Sequence, residues 1–197
     1  MIDLDPATRV LGELVAGVRD DQLDAPTPCA ATSVAALLDH VDGLSFAFTA
    51  AARKTKLPPE QQTPRADAAH LAAEWQSRIP QQLAALAAAW RDEDAWVGMT
   101  QIGGVDVPGE VAALIAIDEV VVHGWDVAVS TGQSFVADEQ LVEAAYGFVQ
   151  PQVEANPAGT PGLFGPALSV PDGASSLDRL LRSTGRDPSW RGEGSVA

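Results

Sequence analysis

Residues 111–129 read VAALIAIDEVVVHGWDVAV, a run long enough and apolar enough to suggest a bilayer span. The same run carries Asp118, Glu119, His123 and Asp126. Three acids at membrane depth are expensive, so the run reads as a buried helix of a soluble protein. A helix that is apolar on almost every side must be surrounded by other elements. The rest of the sequence therefore has to build a bundle around it.

The remaining patterns supply that bundle. A first helix is expected over about residues 6–18, with Asp5 as N-cap, Pro6 in the first turn, and Val10, Leu11, Leu14, Val15 and Val18 as its stripe. Pro26 and Pro28 forbid its continuation, and Thr32 or Ser33 caps a second helix ending near Arg53. Val34, Leu37, Leu38, Val41, Leu44 and Phe48 form its apolar face. A third helix is expected over residues 67–90, kinked or broken at Pro80. Short runs around Gly103-Gly104, within residues 96–107, predict a small hairpin. Pro108 opens the fourth helix, Thr131-Gly132 closes it, and a fifth follows over residues 138–148. Past Pro151 the chain is rich in Pro and Gly, with one short helical pattern over residues 176–182. The expected architecture is all-α: an antiparallel four-helix bundle with a small β-hairpin and a wrapping C-terminal tail. Residues 1–150 form the bundle and residues 151–197 an extension packed on it.

Composition narrows the function. Twelve Lys and Arg stand against 27 Asp and Glu, a net charge of −15, which argues against nucleic acid and anionic membrane as partners. A single cysteine excludes a disulfide-stapled secreted scaffold, and the N-terminus lacks a signal-peptide pattern, so a cytoplasmic location is expected.

At about 100° per residue, Glu119, His123 and Asp126 fall on one strip of the fourth helix, continued by the small Ala112 and Ala116. No Lys or Arg lies between Gly109 and Val129. A buried carboxylate so placed must take a proton, find a distant cation or bind a metal. His40, at the edge of the second helix's apolar face, is the natural partner from a facing helix. His40, Glu119 and His123 would form a two-histidine, one-carboxylate set with open positions, which Zn²⁺ favours and Ni²⁺ or Fe²⁺ accepts. Asp126 is a partner of His123 or a ligand itself. Asp118, on the Val111, Ile115, Val122 and Trp125 face, binds an arginine from elsewhere or orients a ligand histidine. The plainer readings are a solvated or satisfied histidine on a helix and a Glu-His surface pair. Cys29 lies before a helix that would stabilise a thiolate, or is a small buried hydrophobe at a turn. His70 reads as solvated.

The block from Asp118 to Asp126, with Thr27-Pro-Cys29 and Leu38-Asp-His40 upstream, resembles the DinB-like superfamily, in the branch of mycothiol-dependent maleylpyruvate isomerase. Phe164-Gly-Pro-Ala167 and Gly185-Arg-Asp-Pro-Ser-Trp190 are also similar to members of that branch. The resemblance implies a four-helix bundle holding one divalent metal through His40, Glu119 and His123. It also implies mycothiol as cosubstrate, hence a small-molecule thiol and an electrophile as partners of a thiol transferase or isomerase. A metal-bound thiol ionises near neutral pH and becomes a strong nucleophile. The alternative is a non-catalytic bundle with a structural or partner-binding role. An acidic bundle of this kind can also pair with a second copy as a homodimer.

Overall fold

The apolar run is the central helix of the molecule. The computed structural model describes residues 1–160 and 164–192, and its elements follow the chain in a simple order. Helix α1 spans Asp5–Ala16, α2 Val34–Ala52, the one-turn α3 Pro59–Gln62, α4 Trp75–Trp90 and the one-turn α5 Glu93–Trp96. Strands β1, Met99–Ile102, and β2, Val105–Pro108, lead into α6, Gly109–Thr131. Helices α7, Glu139–Ala155, and α8, Ser176–Ser183, follow. Helices α1 and α2 each pack against both α4 and α6, closing the DinB-like antiparallel four-helix bundle, while α7 covers α6 from outside and α8 packs on α7.

The core is made of the faces expected from the spacing. Leu11 and Leu14 of α1, Leu37 and Leu38 of α2, Ile79, Leu83 and Leu86 of α4, and Ile117 of α6 are all buried together. Removing any one leucine among them leaves a cavity that costs about 2–5 kcal/mol. Ser33 caps α2 by accepting from the Ala36 amide, and Asp138 caps α7 by accepting from Leu141. Strands β1 and β2 pair antiparallel, Thr100 opposite Val107, across a Gly103-Gly104 turn in which both φ angles are positive, as the right-handed twist of a two-residue hairpin requires. Thr100 then donates its hydroxyl hydrogen to the Ala51 carbonyl, pinning the hairpin to the end of α2.

Three boundaries differ from expectation, and the break expected as one outcome at Pro80 is absent. The N-cap of α1 is Leu4 rather than Asp5, and the Asp3 carboxylate, two residues before Asp5, accepts from the Asp5 amide. Helix α4 begins at Trp75, not near Asp67; residues Ala68–His70 form a separate 3-10 turn capped by Asp67. Alanine richness simulated helical continuity there. Pro80 neither breaks nor ends α4: it lies in the second turn, where its missing N–H removes a single bond and its ring packs beside Gly12 of α1. Helix α7 also runs through Pro151 to Ala155, with the Gln152 side chain donating to the Phe148 carbonyl and so binding an acceptor near the lost rung.

One helix among the described residues is long and apolar enough to cross a membrane by length and composition. It is α2, not the run over 111–129, and 61% of its window is buried inside the protein. Burial of that kind is what a core helix shows.

Candidate metal centre

Helix α6 enters the bundle fully wrapped, and its polar residues face two places. Glu119 and His123, one turn apart, present Oε2 and Nε2 to each other at 3.0 Å. His40 reaches the same point from α2, with Nε2 4.0 Å from Glu119 Oε2 and its ring edge-on to that of His123, centroids 5.1 Å apart. Ligand atoms of all three lie within 4.8 Å of one another. They line a cavity of about 630 Å³, together with Cys29, Leu37, Asp118, Val122 and a wall of Phe164, Gly165, Pro166, Thr184, Gly185 and Arg186 from the tail.

Each histidine is oriented through its other nitrogen. His40 Nδ1 lies 3.3 Å from the Arg65 carbonyl, so the loop before α4 fixes the ring with Nδ1–H donating and Nε2 free. His123 Nδ1 lies 3.0 Å from Asp126 Oδ2, one turn further along α6. Asp126 is wholly buried, and the same Oδ2 accepts from Arg186 Nη2 at 3.1 Å and from the Cys29 thiol at 3.3 Å. Arg186 also touches Cys29 Sγ at 3.3 Å through Nη2 and donates from Nη1 to the Thr184 carbonyl.

The protonation states follow from this wiring. Burial, reinforced by the nearby His123 charge, pulls the His40 imidazole below its usual value and keeps it neutral. Burial also acts against charge on His123, but hydrogen bonds to Asp126, Cys29 and Glu119 outweigh it and hold that imidazole well above its ordinary range. Glu119 feels the upward push of burial and is carried below the usual carboxylate range by the hydrogen bond and charge of His123. Asp126 is likewise pushed up by burial and drawn down further by Arg186 and His123. At Asp118 the lowering pull of Arg186 and His123 falls short. Burial and the neighbouring Glu119 push it up to about 8, and its Oδ1 has no hydrogen-bond partner among the described residues.

The structure thus brings His40, Glu119 and His123 to one point and sets Asp126 behind His123, on the side away from Glu119. Asp118 lines the same cavity, and the arginine nearest to it is Arg186. His70 stays outside, exposed and paired with Asp67 at 2.9 Å. Cys29 is partly buried and belongs to the Asp126 cluster. Arg186 is the residue that sequence reasoning did not single out. The available signal was indirect: three acids on one buried helix with no local cation demanded a distant one, and Gly185-Arg186 stood in a segment already noted for its similarity.

Fold and donor geometry together define a class, a DinB-like helical bundle with a two-histidine, one-carboxylate cluster at the base of a cavity. The chain belongs to the family described as the mycothiol maleylpyruvate isomerase N-terminal domain, which matches residues 4–128. Two uncharacterized proteins of Mycobacterium tuberculosis, from strains CDC 1551 / Oshkosh and ATCC 25618 / H37Rv, are each 31% identical to it over 143 residues, 71% of this chain and 73% of theirs. Among solved structures, the mycothiol-dependent maleylpyruvate isomerase superposes with a TM-score of 0.55 and a histidine-to-alanine mutant of it with 0.56, both at 17% identity. Each alignment covers 76% of this chain and 66% of the isomerase chain, so the likeness there is one of fold.

Proposed function

We propose that this protein binds one divalent metal ion through His40, Glu119 and His123 and uses it to activate a low-molecular-weight thiol, mycothiol, against a small electrophile. Convergence of three donors from two helices within 4.8 Å, at the base of a cavity, is the observation that carries the reading. The donor set fits the ion: both imidazoles are held through Nδ1, leaving two Nε2 atoms and one carboxylate oxygen to share it. Zn²⁺ is the first choice, with Ni²⁺ or Fe²⁺ acceptable to the same ligands. Such an ion, when bound, lowers the pKa of a thiol ligand and polarises an adjacent carbonyl.

The protein's own residues do the rest. His40 and Glu119 fix the ion from opposite helices. His123 would offer Nε2 to the ion as a neutral imidazole, with Asp126 holding the Nδ1 proton. The cavity, at about 630 Å³, is large enough for a thiol and a small electrophile side by side. Phe164, Pro166 and Thr184 of the tail line one side of it. On this reading the extension over residues 151–197 is part of the working unit: residues 1–150 hold the donors, and the extension builds the wall. The name of the isomerase similar in fold supports mycothiol as the thiol and a transferase or isomerase reaction.

The test is metal analysis of the purified chain followed by thiol-dependent turnover. Stoichiometric metal in the wild type, lost in His123→Ala, together with electrophile consumption that requires mycothiol and disappears in Glu119→Ala, is the expected result. A wild type that takes up no divalent ion removes the metal reading. Metal uptake without thiol-dependent turnover of any electrophile leaves a structural ion and removes the enzyme.

A further inference from the structure

Behind His123 lies a second arrangement that a simple account of three ligands does not need. Asp126 is a wholly buried carboxylate, and a carboxylate so placed needs partners to hold it in one orientation. Its own helix offers no cation. Among the described residues, Arg186 is the only Lys or Arg within ion-pair distance of Asp118, Glu119 or Asp126, and it comes from 60 positions further along the chain. Its side chain is only 12% exposed, so the guanidinium has left water to reach this place.

The backbone is shaped to send it there. Helix α8 is anchored by Leu180 and Leu181, both buried. Gly185 then takes a left-handed conformation, φ +83°, and passes so close to the Gly165–Pro166 strand that a Cβ there would sit 3.0 Å from the Pro166 carbonyl oxygen. A residue with a side chain would be strained in angle and crowded in space. The turn is closed by the Arg186 amide donating to the Leu181 carbonyl at 2.8 Å, and it aims the guanidinium inward at Asp126 and Cys29.

We infer that Arg186 is a positioning residue for the metal centre: by pairing with Asp126 it holds that carboxylate in place against His123 Nδ1, so that His123 presents Nε2 to the ion. Arg186 lines the cavity but is not one of the three metal donors. It acts through a chain of contacts, Arg186 Nη2 to Asp126 Oδ2 at 3.1 Å and Asp126 Oδ2 to His123 Nδ1 at 3.0 Å, ending at the Nε2 that faces Glu119. The family match ends at residue 128, so the cation paired with Asp126 comes from outside the matched region. The inference rests on the metal reading above and goes beyond it in naming what sets the affinity.

The experiment measures Co²⁺ and Zn²⁺ affinity of the full chain by competition with a chromogenic chelator, at one pH and one salt concentration. Loss of an outer partner of a ligand histidine typically weakens metal binding 10–100-fold. Arg186→Met should therefore weaken binding by about that factor, and Arg186→Lys should recover part of it, because an ammonium can still pair with Asp126. In an Asp126→Asn background, Arg186→Met should cause no further loss, since the route through Asp126 is already broken. General damage to the tail would weaken both backgrounds alike, and that outcome overturns the proposal, as does an Arg186→Met protein that binds metal as the wild type does. Should Arg186→Met fail to fold, the imidazole nitrogen resonances of the metal-loaded wild type and of Arg186→Lys decide. Coordination through Nε2 with a protonated Nδ1 is expected in both, and coordination of His123 through Nδ1 would overturn the role. A wild type that binds no metal at all refutes the metal reading itself, which is a separate failure from equal affinities in wild type and variant.

Discussion

The two nitrogens of His123 look out on opposite kinds of surroundings. On the Nδ1 side, Asp126 has an arginine of its own and a thiol beside it, and the charges balance inside the protein. On the Nε2 side, Glu119 faces two histidines and a cavity, with no Lys or Arg among the described residues in ion-pair contact. Both sides bury a carboxylate of the same helix. The difference lies in where the compensating positive charge comes from: one side draws it from the chain, and the other leaves it to be supplied by an imidazole proton or an added ion. A buried acid with an internal counter-charge is structure, whereas one beside a cavity without such a charge is a candidate for function.

That contrast can be broken at several points. At a fixed pH the largest effect is expected from Asp126→Ala, which strands Arg186 in the interior; leaving a buried partner unpaired costs about 3–5 kcal/mol, to be read as a lowered urea midpoint in the metal-free protein. Glu119→Ala should cost the metal-free fold much less, because no fixed cation is stranded. Next in size is the gain from the ion itself. Zn²⁺ at a hundredfold excess over its dissociation constant should add about 2.7 kcal/mol to wild-type stability, and Glu119→Ala should remove that gain.

Asp118 sharpens the comparison through pH. Its carboxyl is raised from 3.8 to about 8 in the folded chain, so between those values the native state holds a proton that the unfolded state has released. The stability this proton contributes is complete below the lower value and is lost as pH rises toward the upper one. Relative to Asp118→Asn, metal-free wild type should therefore lose stability across that window, by no more than about 1.4 kcal/mol per pH unit. Equal slopes for the two proteins would mean that Asp118 is ionised in the native state. The smallest effect is expected at the exposed hairpin, where Val105→Thr should change stability by no more than about 0.5 kcal/mol and leave metal affinity untouched.

Much of this was legible in the sequence, and the legible parts share a cause. Periodicity and capping are local, so the buried faces of α1, α2, α4 and α6, the Ser33 and Asp138 caps and the Gly103-Gly104 turn could be read from spacing alone. The strip of Glu119, His123 and Asp126 was local too, being a matter of one helix's phase. His40 was legible because it borders an apolar face. What escaped was set by tertiary contact. The start of α4 was misplaced because alanines before Trp75 are compatible with helix but have nothing there to bury against. Helix α7 passes Pro151 because the packing of its buried face, Leu141, Val142, Ala145 and Val149, outweighs one missing bond. Arg186 could be demanded by the uncompensated acids but not located, since a loop-borne cation 60 residues away leaves no periodic trace.

The left-handed turn at Gly185 has a consequence for how such proteins diverge. The helices that carry the candidate donors and the turn that carries Arg186 are encoded far apart, and on the role inferred for Arg186 each depends on the other. Recombining the front of one relative with the back of another would preserve every coordinating side chain and still mistune the site, unless the glycine and the arginine travelled together with the histidine they serve.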